Sequence, residues 1–381
     1  MYISRIKLQN WKNFLGVEAK LGQRVFLIGP NASGKSNLLD ALRFLRDVAN
    51  VGLRPAVDDL RGGVSAIRCL AARQSTNIGV EVDVAGDGSD VWTYRLVFNQ
   101  DNLKRPEERE EIVLKNDVRL LSRPTSEDER DPLLRTQTAL EQISENQAFR
   151  DLAEFFKSIT YQHLLPQVVR DPRGFSPAPV QNDPYGRDFL LRLWRTAPKT
   201  RDARLRKIQK ALQGAVPQLA ELRTEMDDAG IPHLIGVYSH WRLRGAKQNE
   251  SQFSDGTLRL FGLLWTVFER SGPLLLEEPE LSLHPEIVRR LPAIFYTINR
   301  SHKEPRQIIV STHSQDMLGD AGIAAEEVLI LKPNPNGTLL ASPGEADQQA
   351  MRAGLTAADV LIPQTNPEHI EQLLLELKDD R

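Results

Sequence analysis

"RVFLIGPNASGKSN", Arg24 to Asn37, decides the fold. A short apolar run ends in Gly-Pro, and "SNLLDALRFLRDVA" then places apolar residues at helical spacing, so a buried strand leads through a loop into a helix. Inside it, Gly29, Pro30, Asn31, Ala32, Ser33, Gly34, Lys35 and Ser36 fit G-x-x-x-x-G-K-S in the strand-to-helix context that a phosphate-binding loop requires. Glycines at 29 and 34 let backbone N–H groups curl round phosphate oxygens without a Cβ in the way. Lys35 would reach the β and γ phosphates, and Ser36 would offer its hydroxyl to Mg²⁺. The expected ligand is a nucleoside triphosphate with magnesium.

Two further apolar runs end in polar clusters. "LLLEEPELSLHP" carries three leucines into Glu277 and Glu278, at the expected C-terminal end of a buried parallel strand. Two acids there need a cation: Glu277 is placed to hold Mg²⁺ through water, and Glu278 to polarise the attacking water. "IIVSTHS" ends in Ser311, Thr312, His313 and Ser314, and His313 can hydrogen-bond a γ-phosphate. In "SQFSDGTLRLFGLLW", Ser254, Asp255, Gly256 and Thr257 open an apolar helix. Such a cap satisfies its own helix, and its free N–H groups at the positive end of the dipole also suit an anion.

Residues from about 77 to 122 alternate polar and apolar between Gly, Asp and Asn turns and should form an antiparallel sheet. From about 125 to 215 the chain turns polar and helical with Pro-rich breaks, so one parallel core is split by a long insertion. The division expected is 1–124 and 231–332 for the two parts of the core, 125–230 for the insertion, and 333–381 for a tail with a helix at "PEHIEQLLLELKDD".

Composition narrows the function classes. With 381 residues, 40% hydrophobic, 26% charged and a formal charge of −2, the chain has an ordinary globular balance and no global pull toward nucleic acid. The one cysteine, Cys69, excludes an internal disulfide framework or a cysteine-built zinc site. "MYISRIKLQNW" has Arg5 and Lys7 where a signal peptide needs its apolar core, and no apolar stretch is long enough to span a bilayer, so a cytoplasmic protein without membrane contact is expected. Arg187–Lys210, with nine basic residues against two acidic, is a candidate DNA surface, with Arg192, Arg195, Arg204, Arg206 and Lys207 on phosphates and Trp194 for stacking. A solvated basic helix face is the competing reading.

The ordered set "GPNASGKSN", "FSDGTLR", "LLLEEPELSLHP" and "STHS" resembles the ABC-type ATPases of the RecF, SMC and OLD branch, often labelled AAA-type, and among them the stand-alone ATPases of phage-defence operons. The resemblance extends to "LQNWKNF", "YQHLLPQVVRDP" and "IQKALQGAVPQL". It implies an α/β P-loop ABC-ATPase head with an antiparallel β subdomain and a helical insertion, using ATP and Mg²⁺. It further implies that Ser254–Thr257 is a signature motif capping the γ-phosphate held by the opposite subunit of a head-to-tail homodimer or higher oligomer. Lys12, Asn13 and Phe14 would lie near the nucleotide with Asn37, Leu281–His284 would cross the dimer, Arg61–Gly63 would relay γ-phosphate occupancy, and Gln74 is a candidate relay glutamine. SDGT stands where transporters have SGGQ, which argues against a transporter subunit, and Glu277 stands where many ATPases carry Asp.

The implied role is an ATP-dependent switch controlling a partner effector (nuclease or toxin), DNA, or both, in defence. The alternative is a RecF-like repair clamp with no toxic partner. OLD relatives carry a Toprim nuclease after the ATPase. The acids Glu345, Asp347 and Asp359 beyond "EEVLILK" are too scattered for one, so a separately encoded effector is expected.

Overall fold

The computed structural model describes residues 1–73, 75–86, 88–170, 183–239, 246–269, 272–300 and 305–365. They divide into two compact units, 1–157 with 311–381 and 158–310. Gln74 and the predicted helix at 367–380 lie outside the described residues.

The first unit opens with β1 (Tyr2–Trp11), β2 (Phe14–Lys20) and β3 (Arg24–Ile28), the last running into the helix Lys35–Val51. β4 (Ile78–Ala85), β5 (Val91–Gln100), β6 (Pro106–Lys115) and β7 (Val118–Arg123) complete a six-stranded sheet of order β2-β1-β4-β5-β6-β7. Every pairing in it is antiparallel. Alternation drives it: Ile78, Val80, Val82 and Val84 of β4 and Trp92, Tyr94, Leu96 and Phe98 of β5 are buried. Asn116 and Asp117, both at positive φ (50° and 62°), make the tight turn between β6 and β7.

The loop-borne helix is fastened to this sheet by aromatic contacts. Trp11 packs 5.1 Å from Phe44 and Phe44 5.3 Å from Phe98, while Trp11 Nε1 donates to the Asn37 carbonyl at 3.0 Å. The sheet also buries acids. Glu111 accepts from the N–H groups of Ala139 (2.6 Å) and Leu140 (3.1 Å) and from the Tyr94 hydroxyl (2.9 Å). Among the described residues neither oxygen of buried Glu108 has a hydrogen-bond partner, the Arg123 Nε lies 3.9 Å away, and burial pushes this carboxyl up to about 7.

The second unit begins with β8 (Thr160–Gln162). The stretch 125–230, expected to be helical, holds helices at Arg150–Lys157, Pro166–Arg170, Phe189–Arg195 and Pro198–Leu212, together with β8 and the strand β9 (Leu219–Met226). β9 pairs with β10 (Pro232–Tyr238) and β10 with β11 (Ala246–Asn249) in an antiparallel sheet. β9 is strand because it pairs with β10 and packs on the helix Pro198–Leu212, which buries Leu219 and Leu222, a tertiary effect that a charged stretch such as "ELRTEM" conceals. β12 (Leu274–Glu277) pairs in parallel with β8, and β13 (Ile308–Ser311) flanks it on the other side.

Between them runs the helix Asp255–Phe268, whose last carbonyls are taken by Arg306. Its guanidinium donates to Thr266 and Glu269 at 2.9 Å each and to Gly272 at 3.0 Å, and burial brings its pKa down to about 10.

The chain then returns to the first unit. β14 (Val328–Asn334) pairs in parallel with β3 and antiparallel with β15 (Gly337–Ala341), giving the order β15-β14-β3. The acids Asp347 and Asp359 cap helix starts, accepting from the N–H groups of Gly344 (3.0 Å) and Thr356 (2.9 Å). No helix of the described residues is long and apolar enough to cross a membrane.

Candidate functional site

The loop Gly29–Ser36 is a cradle that side chains would fill. Gly34 sits at φ 97°, where a Cβ would fall 2.1 Å from Asn13 Nδ2, and a Cβ on Gly29 would meet the Leu331 carbonyl oxygen at 2.6 Å. Ala32 also adopts a left-handed φ of 61°, and the Ser33 N–H closes a turn on the Pro30 carbonyl at 3.2 Å. Lys35 is buried and its Nζ donates to the carbonyls of Gly29 (2.9 Å) and Pro30 (3.1 Å), which holds the ammonium inside the loop. Asn31, Ala32 and Ser36 are exposed, while Ser33 and Gly34 are buried.

The residues implicated by "WKNF" divide by role. Asn13 braces the loop: its Nδ2 donates to the Ser33 carbonyl (3.0 Å) and to Thr338 Oγ1 (2.7 Å), and its Oδ1 accepts from Asn37 Nδ2 (2.8 Å). Lys12 pairs with Asp40 at 3.0 Å. Phe14 is fully buried, so its side chain belongs to the core beneath the loop.

Asp40 leads to a buried ionic network along the helix. Arg61 Nη2 bridges Asp40 (3.0 Å) and Asp47 (2.9 Å), and Arg46 also pairs with Asp47 (2.7 Å). Burial pushes the Asp40 carboxyl up, but Arg61, Lys12 and Arg43 outweigh it and hold it below the usual carboxylate range. Gly62 and Gly63 follow at positive φ and end the helix Leu53–Arg61. The "RGG" segment is thereby tied to the helix that the phosphate loop opens.

In the same unit the Thr312 N–H donates to the Leu27 carbonyl at 3.0 Å, which brings the end of "IIVSTHS" beside the strand that feeds the loop. His313 follows and is exposed, and Ser314 caps the next helical turn through the Met317 N–H (3.3 Å).

The second unit carries the acids and the capped helix. Leu274, Leu275 and Leu276 are buried, Glu277 ends β12, and Glu278 adopts a φ of 42°, a left-handed conformation uncommon for a side chain of its size. The Tyr161 hydroxyl donates to Glu277 Oε2, and His163 Nδ1 lies 3.1 Å from the Glu277 carbonyl oxygen. Sequence reasoning missed both residues. The only cue was "YQHLLP" itself, an edge strand whose partner is not evident from its own pattern.

Ser254 caps its helix: its Oγ accepts from the Thr257 N–H at 3.2 Å and lies 2.8 Å from Thr257 Oγ1. Ser254 is exposed. Gly256 packs against the loop after the acids, where a Cβ would meet the Ser282 carbonyl oxygen at 2.7 Å. Ser282 itself has a φ of 61°, and His284 at the end of that loop is exposed.

The basic stretch is partly spent inside its unit. Arg192 pairs with Glu269 at 3.1 Å, and Arg201, Arg204 and Lys207 lie over the rings of Trp194 (4.7 Å), Trp265 (5.4 Å) and Phe268 (5.7 Å). Trp194, read as free for stacking, is therefore covered on one face by Arg201. Arg195, Lys199, Arg206, Lys207 and Lys210 are exposed, Lys207 while resting on the Phe268 ring.

A phosphate cradle, a strand ending in paired acids and a capped polar helix start define a P-loop nucleotide-binding head. The family model "AAA domain, putative AbiEii toxin, Type IV TA system" matches residues 24–318, well over half of the chain, and the chain belongs to that family. Among solved structures it is similar to an SmcHead bound to the C-winged helix domain of ScpA, with a TM-score of 0.56 and 16% identity over 92% of this chain and 100% of that one. It is also similar to the Smc head domain with an extended coiled coil, bound to the C-terminal domain of ScpA, from Pyrococcus furiosus (TM-score 0.53, 13% identity, 92% and 98% covered). A third is the Smc head domain with a coiled coil and joint from Pyrococcus yayanosii (0.51, 11%, 92% and 99%). No curated protein matches the chain. At these identities the structural likeness is one of fold. That fold is the P-loop ABC-type ATPase head.

Proposed function

We propose that this ATPase is an ATP-dependent dimeric switch that controls a separately encoded effector, a nuclease or toxin, in defence. The observation that carries the reading is the presence in one chain of a glycine-dependent phosphate cradle at Gly29–Ser36 and a capped helix start at Ser254–Thr257 whose Ser254 is exposed. In the proposed roles Lys35 and the loop N–H groups hold the triphosphate, with Asn13 and Asn37 bracing them. Ser36 and Glu277 hold Mg²⁺, which neutralises charge on the transferring phosphoryl group when bound. The donor set fits: a serine hydroxyl and a carboxylate are hard oxygen ligands, the kind Mg²⁺ takes while drawing the rest from phosphates and water. Glu278 orients and polarises the attacking water, and His313 contacts the γ-phosphate. Ser254, Asp255, Gly256 and Thr257 cap the nucleotide of a second copy.

DNA is the further candidate partner, through the exposed Arg195, Lys199, Arg206 and Lys210. A RecF-like clamp without an effector is distinguished by the neighbouring genes and by DNA-stimulated turnover.

The test uses Glu278→Gln, which should keep ATP binding while turnover falls by about 10²–10⁴-fold. ATP should then trap a dimer detectable by light scattering, and Ser254→Arg should abolish it. A Ser254→Arg protein that hydrolyses ATP normally as a monomer would sink the trans-cap assignment.

A further inference from the structure

The segment Tyr161–Arg170 begins on Glu277 and ends on the signature turn, and the proposed function leaves its far end unused. Asp255 is an acid in a turn proposed to receive a polyphosphate, where an uncompensated carboxylate would repel the ligand. Arg170 meets it: Nη1 lies 2.5 Å from Asp255 Oδ1, and Gln167 Nε2 donates to Oδ2 at 3.3 Å. Arg170 Nη2 also donates to the Phe253 carbonyl at 2.5 Å. One guanidinium thus grips the residues on either side of Ser254.

A second cation, Arg259, also feels Asp255, but shares its charge with Glu278 and Glu280. The mount is close-packed, since a Cβ on Gly262 of the signature helix would fall 2.4 Å from Leu164 Cδ1.

We propose that Arg170 is a positioning residue of the signature turn, cancelling the charge of Asp255 so that the turn accepts the γ-phosphate of a second copy. This rests on the trans-cap reading of Ser254–Thr257. Its distinctive consequence is that removal of the acid should repair removal of the base, which an arginine acting only through the Phe253 carbonyl would not allow.

The experiment measures ATP-dependent dimerisation of full-length protein in the Glu278→Gln background, by sedimentation, alongside ATP affinity of the dilute monomer. Arg170→Met should weaken the dimer about tenfold or more, and adding Asp255→Asn should bring it back to within about threefold of the parent. Monomer ATP affinity should not move. Asp255→Asn alone, which does not depend on the Arg170→Met protein folding, should dimerise at least as tightly as the parent.

Parent-like dimerisation of Arg170→Met, failure of Asp255→Asn to rescue it, or a tenfold loss in Asp255→Asn alone each overturns the proposal. A parent that binds ATP and stays monomeric overturns the trans-cap reading and this proposal together, and so is distinguishable from those three results.

Discussion

The phosphate loop and the signature turn are both polar caps on apolar helices, yet they are braced differently. Lys35 is held by carbonyls five and six residues back, and the loop's curl is set by its own glycines. The acids and the signature turn are held from outside, with Tyr161 reaching Glu277 across 116 residues and Arg170 reaching Phe253 across 83. The loop takes one outside brace, Asn13 on the Ser33 carbonyl, but its conformation is set locally, and a motif of that kind keeps most of its geometry wherever the chain carries it. One braced from a distance can be tuned through the brace.

Lys35→Ala should break the first pattern outright. Removing the ammonium leaves the cradle's backbone but deletes its only positive side chain, so ATP affinity should fall beyond detection in a nucleotide titration while the fold persists in circular dichroism. Micromolar binding retained by this variant would mean that the loop is not the triphosphate site.

What was legible follows the same division. Gly29, Gly34, Lys35 and Ser36 announce their chemistry because conformation and function lie in one octapeptide, and the sheet of β4 to β7 is legible because period-two burial is local. β9 was hidden because its apolar residues are buried by tertiary packing, against β10 and the helix Pro198–Leu212. Tyr161 and Arg170 were quoted within "YQHLLPQVVRDP" without a role, since nothing in a tyrosine or an arginine says which distant carboxylate it will meet. The buried network of Asp40, Asp47 and Arg61 was invisible for the opposite reason: charged residues on an amphipathic helix ordinarily face solvent.

Gly256→Ala probes the externally braced turn more gently. The new methyl would press on the Ser282 backbone oxygen at 2.7 Å, and backbone yields less readily than a side chain, so the turn and the loop Leu281–His284 should be forced apart. ATP-dependent dimerisation in the Glu278→Gln background should weaken about tenfold, the equivalent of ~1.4 kcal/mol, with monomer ATP binding unchanged. Loss of monomer binding instead would erase the contrast between the two caps.

Tyr161→Phe removes one donor from Glu277 and leaves its ring in place. If Glu277 holds Mg²⁺, the freed carboxylate should be less well aimed, and the Mg²⁺ concentration for half-maximal turnover should rise about three- to tenfold at unchanged ATP affinity. A proportional fall in turnover at every Mg²⁺ concentration would place Tyr161 in the scaffold alone.

The smallest effect concerns the sheet beneath the phosphate loop. Burial raises Glu108 from near 4.5 to about 7, so the folded state binds more protons than the unfolded state between those values. The slope of unfolding free energy with pH is then negative: this group costs nothing below about 4.5, and its penalty grows until the pH has passed about 7. Glu141, raised to about 7 mainly by burial, acts in the same sense. Asp128 acts oppositely but in another window. Arg123 and Thr125 overcome the upward push of burial and hold it at about 2, so its stabilisation is lost only as pH falls from the ordinary carboxylate range through that value. Glu108→Gln cannot ionise, and the fall in thermal stability between pH 5 and pH 8 should shrink by about 1–2 kcal/mol in denaturant titrations, with ATP affinity at pH 8 unchanged. An identical pH profile in the variant would show that Glu108 is ionised at little cost, and an altered ATP affinity would show that the loop depends on the sheet more than its self-braced geometry implies.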